Sequence, residues 1–444
     1  MKPHATIRLR EGVAHRDVGS WLTAIADPSA AGPSFHPDID RVLATWPGGV
    51  LVAHEHDPAG TAGWSEQEKI AGLDRIFRVV ALADRPWTAE FLARLRELPV
   101  VERVEDGLVS SVPLPLATAS STTPSDWAGR MLGLDDAHAV TRGDRDVVIA
   151  VLDTGVDLDH EQYRERLMPG FDFVDILDGA EAFLGDALEA DADPSDPGVG
   201  HGSHVTGILV ARGAGRMPTG VAPGCRVLPV RVLGALMQDG RNIGAGLVDN
   251  INTGIKWAVD HGADVINMSL GIRREGGGLP HVDVIRYALA KGVVVVAAAG
   301  NDGADTLYYP GALPGVVAVG AVGRDGSVAT YSTWGAQVDL VAPGTEIWST
   351  WLDGGYAFAT GTSQATPFVA GAAALCRSLD GGARLGAGQV ARILSASADR
   401  EGTRFKTPQA GAGLLNIPDA LRLAAHRIDT ARAPSRARRE LIPV

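Results

Sequence analysis

DVVIAVLD, residues 146–153, is an apolar run without alternation that ends on an acid. A strand with one wet face alternates apolar and polar residues, whereas a run apolar throughout marks a strand covered on both faces of a parallel sheet. Four further runs read the same way: RVLPVRVL (226–233), DVINMSL (264–270), VVVVAAAG (293–300) and GVVAVGAV (315–322). Helical patterns fall between and after them, at 201–212, 244–260, 282–291, 363–378 and 387–397. Strands alternating with helices predict a doubly wound α/β domain with a mostly parallel sheet over 127–425, whose chemistry sits at the carboxyl ends of the strands.

Upstream the texture differs. From His4 to about Pro113 the order is strand, helix, strand, strand, helix, strand, which predicts a smaller α+β (ferredoxin-like) domain over 1–113. Its clearest parts are IFRVVALAD (76–84), WTAEFLARLRELP (87–99) and VVERVEDGLVSSV (100–112), and 27–47 and 56–70 read as loops. The Ser, Thr and Pro of 114–126 read as an exposed linker, a place where proteases cut. The stretch 426–444 is Arg-rich and reads as a frayed tail.

Bulk properties narrow the classes. The net charge of −13 argues against a nucleic-acid binder. That charge is uneven, with 14 Asp or Glu against two Arg in 151–200. The two cysteines, Cys225 and Cys376, are no disulfide framework and read as buried thiols. No apolar run approaches the roughly 18 residues that span a bilayer. MKPHATIRLREGVAHRD is polar from its start and unlike a secretory signal, so a cytoplasmic location is expected, with export by another route left open.

The strand tips carry the candidate chemistry. Asp153 ends the first strand and is followed by Thr154-Gly155; alone it is equally a turn former. His201, between Gly200 and Gly202, opens an apolar helix, with His204 one turn on. His-x-x-His without a third ligand is a weak metal signal, and an imidazole at a helix start suits a general base better. Asn301 lies past another strand tip, where Asn-Asp-Gly also makes a simple turn. Ser363 in GTSQATP opens a helix whose free N–H groups favour developing negative charge, although an N-cap is the commoner role for such a serine. Together they supply an orienting carboxylate, a base, an oxyanion donor and a nucleophile, the triad members in the chain order Asp, His, Ser.

Four blocks, VLDTGVD, GHGSHVTG, DVINMSLG with VVVVAAAGN, and GTSQATPFVAG, together resemble the subtilisin-type serine proteases. The resemblance implies that Ser363 attacks the scissile carbonyl, His201 relays its proton, Asp153 orients His201, and Asn301 with the Ser363 N–H holds the oxyanion. It implies that Ser269, Leu270 and Gly271 pair with the backbone of a polypeptide substrate, and that Ala298, Ala299 and Gly300 form the other pocket wall. Asp302 would lie near the rim and Tyr308 on the pocket floor, favouring a small or basic side chain.

By the same resemblance, residues 1–113 are a propeptide, an intramolecular inhibitor whose closing strand is VERVEDGLVSSV, with self-cleavage in the linker. The rival reading is a permanent substrate-recruiting domain. No cofactor is implied for catalysis. The usual tight calcium site looks lost, because Gln162 and Ala214 stand at its positions. Asp186, Glu189, Asp191, Asp193 and Asp196 offer carboxylates to a structural calcium elsewhere, but they lack the alternation of a calcium loop and read as a solvated insertion. The implied activity is that of an endopeptidase; a dedicated leader peptidase and a catalytically silent peptide binder are the alternatives.

Overall fold

The computed structural model describes residues 3–83, 85–112, 125–174, 183–184, 192–238, 241–274, 279–379, 385–400 and 408–432. Strands β1 (His4–Leu9), β2 (Val50–His54), β3 (Ile76–Ala81) and β4 (Val101–Asp106) form an antiparallel sheet in the order β2-β3-β1-β4. With α1 (Trp21–Ala26), α2 (Pro37–Leu43), α3 (Glu66–Ala71) and α4 (Ala89–Arg96), this is the expected α+β unit. The expected loops at 27–47 and 56–70 contain α2 and most of α3. Local caps make them helical: Pro37 sits at the first turn of α2, and Ser65 and Glu68 close a capping box on α3. The expected strand 100–112 divides at its Asp-Gly, and β5 (Val109–Val112) leaves for another sheet.

The second unit opens with α5 (Trp127–Met131) and α6 (Leu134–Val140). Its strands begin with β6 (Val148–Asp153), β7 (Phe171–Asp172), β8 (Phe183–Leu184), β9 (Arg226–Arg231), β10 (Gly234–Gln238) and β11 (Arg241–Leu247). They continue with β12 (Val265–Met268), β13 (Ile272–Arg273), β14 (Val294–Ala298), β15 (Tyr308–Tyr309), β16 (Val317–Val322), β17 (Leu340–Pro343), β18 (Ile347–Thr350) and β19 (Tyr356–Ala359). Among the described residues the central sheet is parallel, in the order β17-β16-β14-β12-β6-β9-β7. Helices α7 (His201–Val210), α8 (Val248–Asp260), α9 (Val282–Ala290), α10 (Thr362–Ser378), α11 (Ala387–Ser397) and α12 (Ile417–Arg432) cover it.

The lack of alternation in β6 has a direct cause. Ile149 and Val151 enter the core under α7 and α10, while Val148, Ala150 and Leu152 enter the core under α8 and α9. Both faces are therefore buried, each large side chain contributing about 1.5–3 kcal/mol. Val294 and Val296 of β14 divide from Val295 and Ala297 in the same way. Cys225 and Cys376 are buried free thiols.

Two expectations shift. The helix expected from 244 begins at Val248, because 244–247 belongs to β11, and glycines at 244 and 246 disfavour an earlier start. Helix α12 crosses the expected 425/426 boundary, with Ile417, Leu421, Ala424 and Ile428 buried along one face. The rest of the tail, 433–444, lies outside the described residues, as do 113–124 of the linker.

The two units meet through an apolar contact, in which Ala71, Leu73 and Ile76 join the core under α8 and α9, and through polar groups. In β1, Ala5, Ile7 and Leu9 face their own core, whereas His4 and Arg8 reach the second unit. His4 Nε2 lies 2.9 Å from Asp249 Oδ2 of α8, and Arg8 pairs with Asp283 of α9, which Arg103 also grips at 2.6 Å. The buried Arg78 binds Glu55 through two nitrogens, at 2.8 and 2.6 Å, and donates to Asn250 at 2.7 Å. Lys256 of α8 meets Glu68 at 2.8 Å.

Burial drives several imidazoles in and around this contact toward the neutral form: His54 and His281 fall to about 4, and His56 falls well below its ordinary value. His204, in the second unit, falls to about 3 for the same reason. These folded pKa values lie below the ordinary value of about 6.5, so the unfolded chain binds protons that the folded one refuses. Their contribution to stability is present above pH about 6.5 and is lost as the pH falls toward 4. Thermal unfolding of the intact chain followed against pH is expected to show the melting temperature dropping by several degrees between about pH 6.5 and 5. A flat profile over that window would contradict the neutral burial of these groups.

Candidate active site

Strand β6 ends at Asp153, which is fully buried. Helix α7 starts beside it, and two glycines permit the approach. Gly200 has φ +83°, a conformation costly for other residues, and a Cβ there would sit 2.5 Å from the Trp351 ring. A Cβ on Gly202 would sit 2.1 Å from the carbonyl oxygen of Gly155. With both gaps closed, His201 Nδ1 lies 2.7 Å from Asp153 Oδ1, and Oδ1 also accepts the Thr154 N–H at 2.8 Å.

Burial alone would push the His201 pKa down. The adjacent Asp153 carboxylate, with a smaller contribution from Asp196, outweighs it and holds the pKa above the ordinary value. The other ring nitrogen, Nε2, is buried and has no protein partner among the described residues. His204 does not join it: its Nε2 lies 3.1 and 3.2 Å from the carbonyl oxygens of Ile347 and Ala357, as suits a core histidine.

Ser363 lies inside the first turn of α10, and Gly361 occupies the cap position. The simple N-cap role is therefore excluded. Its hydroxyl donates to the carbonyl oxygen of Ser269 at 3.1 Å, while Ser269 Oγ donates to the carbonyl oxygen of Ser363 at 2.8 Å. Pro367 makes this clasp available, because it has no N–H to give to the carbonyl four residues earlier. Asn267 Nδ2 steadies Ser269 Oγ at 3.1 Å. Asn301 is fixed from the other side: its Oδ1 accepts the Thr362 N–H at 2.8 Å and the Thr362 hydroxyl at 3.0 Å, which leaves Nδ2 as the free donor. Helix α7 packs directly on α10, bringing the Asp153–His201 pair and the Ser363–Asn301 group to the same end of the sheet.

The other expected residues fall around this point. Leu270 is buried next to Ser269; Ala298 ends β14 and Ala299 follows it, both buried. The Tyr308 ring lies between the two walls: a Cβ on Gly300 would sit 2.4 Å from its Cδ2, and one on Gly271 would sit 3.6 Å from its Cδ1. Asp302 is exposed and accepts the Thr333 hydroxyl at 2.6 Å.

At the two calcium positions, Gln162 Nε2 donates to Ala214 O at 3.0 Å and Gln162 Oε1 accepts the Ala214 N–H at 3.2 Å. An amide paired in both directions with backbone offers no charge to a cation. Among the described residues no group of three or more His, Cys, Asp or Glu is arranged to hold a metal, and Asp186, Glu189 and Asp191 fall outside them. Asp196 is not part of a solvated insertion: it is buried and bonded.

Sequence reading missed one wall. β11 pairs antiparallel with β5, with Val112 opposite Gly244 and Ser110 opposite Gly246, so the last described strand of the N-terminal unit adds to its edge. A Cβ on Gly246 would meet the Val232 carbonyl oxygen at 2.1 Å. The Gly-Ala-Gly of 244–246 was the available signal, overridden by the helical period that follows it.

Residues 144–414 match the subtilase family. The chain belongs to that family. It is 40% identical over 245 residues to a thermophilic serine proteinase of Bacillus sp. (strain AK1), covering 55% of each chain. It is 35% identical over 278 residues to subtilisin DY of Bacillus licheniformis, covering 62% of this chain and 90% of that one. Among solved structures, a protease of Pseudoalteromonas arctica PAMC 21717 superposes with a TM-score of 0.59 at 30% identity, over 69% of this chain and 100% of that one. The chain thus has the subtilisin-like fold, while spanning about half the length of the Bacillus proteinase.

Gly200 and Gly262 have nearly equal φ, +83° and +84°, but nothing lies within 4 Å of a Cβ on Gly262. Both changes to Ala incur the left-handed penalty of about 1–2 kcal/mol. Gly200→Ala is expected to cost clearly more in denaturant unfolding, because Trp351 blocks its methyl. Equal losses would contradict the close approach that seats His201.

Proposed function

We propose that this chain is a serine endopeptidase made as a zymogen, its N-terminal unit acting as an intramolecular inhibitor. The observation that carries the reading is the 2.7 Å Asp153–His201 bond, which leaves Nε2 free beside the helix whose first turn bears Ser363. In the proposed reaction the Ser363 hydroxyl turns from the Ser269 carbonyl to His201 Nε2. As Oγ attacks the scissile carbonyl, its proton passes to Nε2, and the imidazolium is stabilised by Asp153. The oxyanion receives the Ser363 N–H and Asn301 Nδ2. The imidazolium then protonates the leaving amine, and water, activated by His201, hydrolyses the acyl-enzyme. Loss of the Asn301 donor is expected to cost about 10²–10³ in turnover. No step uses a metal.

The substrate strand would run between the β11 edge and Ser269–Gly271, adding to the sheet through its backbone. The pairing of β5 with β11 supports the inhibitor reading, since it fills that edge. Tyr308 between the pocket walls supports a shallow pocket that takes small side chains.

Intact mass of the wild type beside Ser363→Ala tests the proposal. Cleavage between 113 and 126 is expected in the wild type only. Identical full-length masses, with no activity on casein, would count against it. Tyr308→Gly is expected to raise kcat/KM for peptides with Phe before the scissile bond by ~10-fold or more relative to Ala, as removing a ring from a hydrophobic pocket should. An unchanged ratio would remove Tyr308 from the pocket.

A further inference from the structure

Next to the Asp153–His201 pair sits a second buried carboxylate that the proposed reaction does not use. Asp196 is 8% exposed, and protein donors occupy both of its oxygens. Oδ1 accepts the N–H groups of Gly198 at 3.0 Å and Val199 at 2.7 Å. Oδ2 accepts the Gly200 N–H at 2.7 Å and the Thr154 hydroxyl at 2.6 Å. Thr154 Oγ1 in turn accepts the N–H of Gly202 at 3.1 Å, and the Thr154 N–H goes to Asp153 Oδ1 at 2.8 Å.

These bonds close a ring. It runs from Asp153 through Thr154 to Asp196, from Asp196 to the N–H of Gly200, and through His201 back to Asp153. The residues on either side of His201, Gly200 and Gly202, are held by Asp196 and by Thr154 respectively, the two ends of one short hydrogen bond. We infer that Asp196 is a positioning residue of the active site, its carboxylate clamping the turn before α7 to Thr154 so that the His201 imidazole stays on Asp153. The inference rests on the peptidase reading for its effect on rate, but not for its effect on the imidazole.

An ordinary turn does not need this charge. An Asn would serve the Gly198 and Val199 N–H groups equally well through its carbonyl oxygen. The second oxygen differs, because it receives two donors at once. An amide NH₂ there would face the Gly200 N–H donor to donor, and the Thr154 hydroxyl, which already accepts from Gly202, could no longer donate to it. Asp196→Asn therefore keeps the shape of the turn and breaks only the clamp.

The charges around His201 are few. Asp153 faces it from β6, Asp196 from the preceding turn and His204 from its own helix. Helix α10 brings the neutral Ser363, the β18–β19 connection brings Trp351, and β9 brings Arg231, which Asp172 engages. Tyr163 also lies near Asp196, its phenol held neutral by burial. Among the described residues, removing the Asp196 charge leaves Asp153 as the only anion that favours the imidazolium.

The test begins with NMR titration of the His201 ring in full-length Ser363→Ala chain, with and without Asp196→Asn. The midpoint is expected to move to lower pH in the double variant. In the active enzyme, Asp196→Asn is expected to lower kcat by ~10–100-fold, as a small misplacement of a catalytic group does, with KM within about threefold. A carboxylate serving only the turn would lower the melting temperature and move the titration through its charge but leave kcat unmoved, and an unmoved kcat overturns the inference. Should Asp196→Asn fail to fold, Thr154→Val breaks the same clamp from the other side. It is expected to slow kcat, and Thr154→Ser, which restores the hydroxyl, to recover most of the loss; wild-type kcat in Thr154→Val overturns the inference. A wild type that hydrolyses nothing, while Thr154→Val, which removes no charge, still shifts the ring titration, defeats the peptidase reading and leaves the clamp standing.

Discussion

A carboxylate and an imidazole 2.7 Å apart and withdrawn from water set the terms for the rest of this molecule. Neither group is tolerable in an apolar interior without the other, because an unpaired buried charge or polar group costs several kcal/mol. The pair requires a strand that ends on an acid at the rim of a two-sided sheet. It also requires a helix that starts within hydrogen-bond reach of that end. Gly200 turns the chain, Gly202 lets the helix press against Gly155, and Asp196 with Thr154 fastens the turn. The fold is the means of holding two side chains at a distance that neither would keep alone.

Ser363 is held by a separate device. The two-way bond between Ser269 and Ser363 joins the end of β12 to the first turn of α10, and it exists because Pro367 frees one carbonyl. A proline that looks misplaced inside a helix thereby ties the first turn of α10 to the end of β12. In the N-terminal unit the alternating residues of β1 resemble a wet face, yet His4 and Arg8 are buried against α8 and α9. Where the two units meet through paired charges, they gain less than an apolar contact of equal area would give, because each ion must first be desolvated.

Much of this was legible in the sequence. Apolar runs without alternation identified β6, β9, β12, β14 and β16; the strand tips pointed to Asp153 and Asn301, and a helix start pointed to Ser363. What escaped has physical reasons. The short strands β7 and β17 carry too few residues to show a period. In β11 the glycines at 244 and 246 leave no side-chain pattern, and the amphipathic α8 begins at once. Asp196 was lost among acids that look alike in sequence; only the fold distinguishes a carboxylate that receives four donors from one that faces water. The extent of α12 was obscured by the arginines of its exposed face.

The central claim is that Ser363 is a nucleophile activated by His201. A fluorophosphonate reacts covalently with such a serine and not with an ordinary hydroxyl. Treating the processed protein with this reagent and mapping the adduct by peptide mass spectrometry tests the claim directly. The account predicts one equivalent of label on Ser363, lost in His201→Ala. Label on another serine, or equal labelling of Ser363 in His201→Ala, would contradict it.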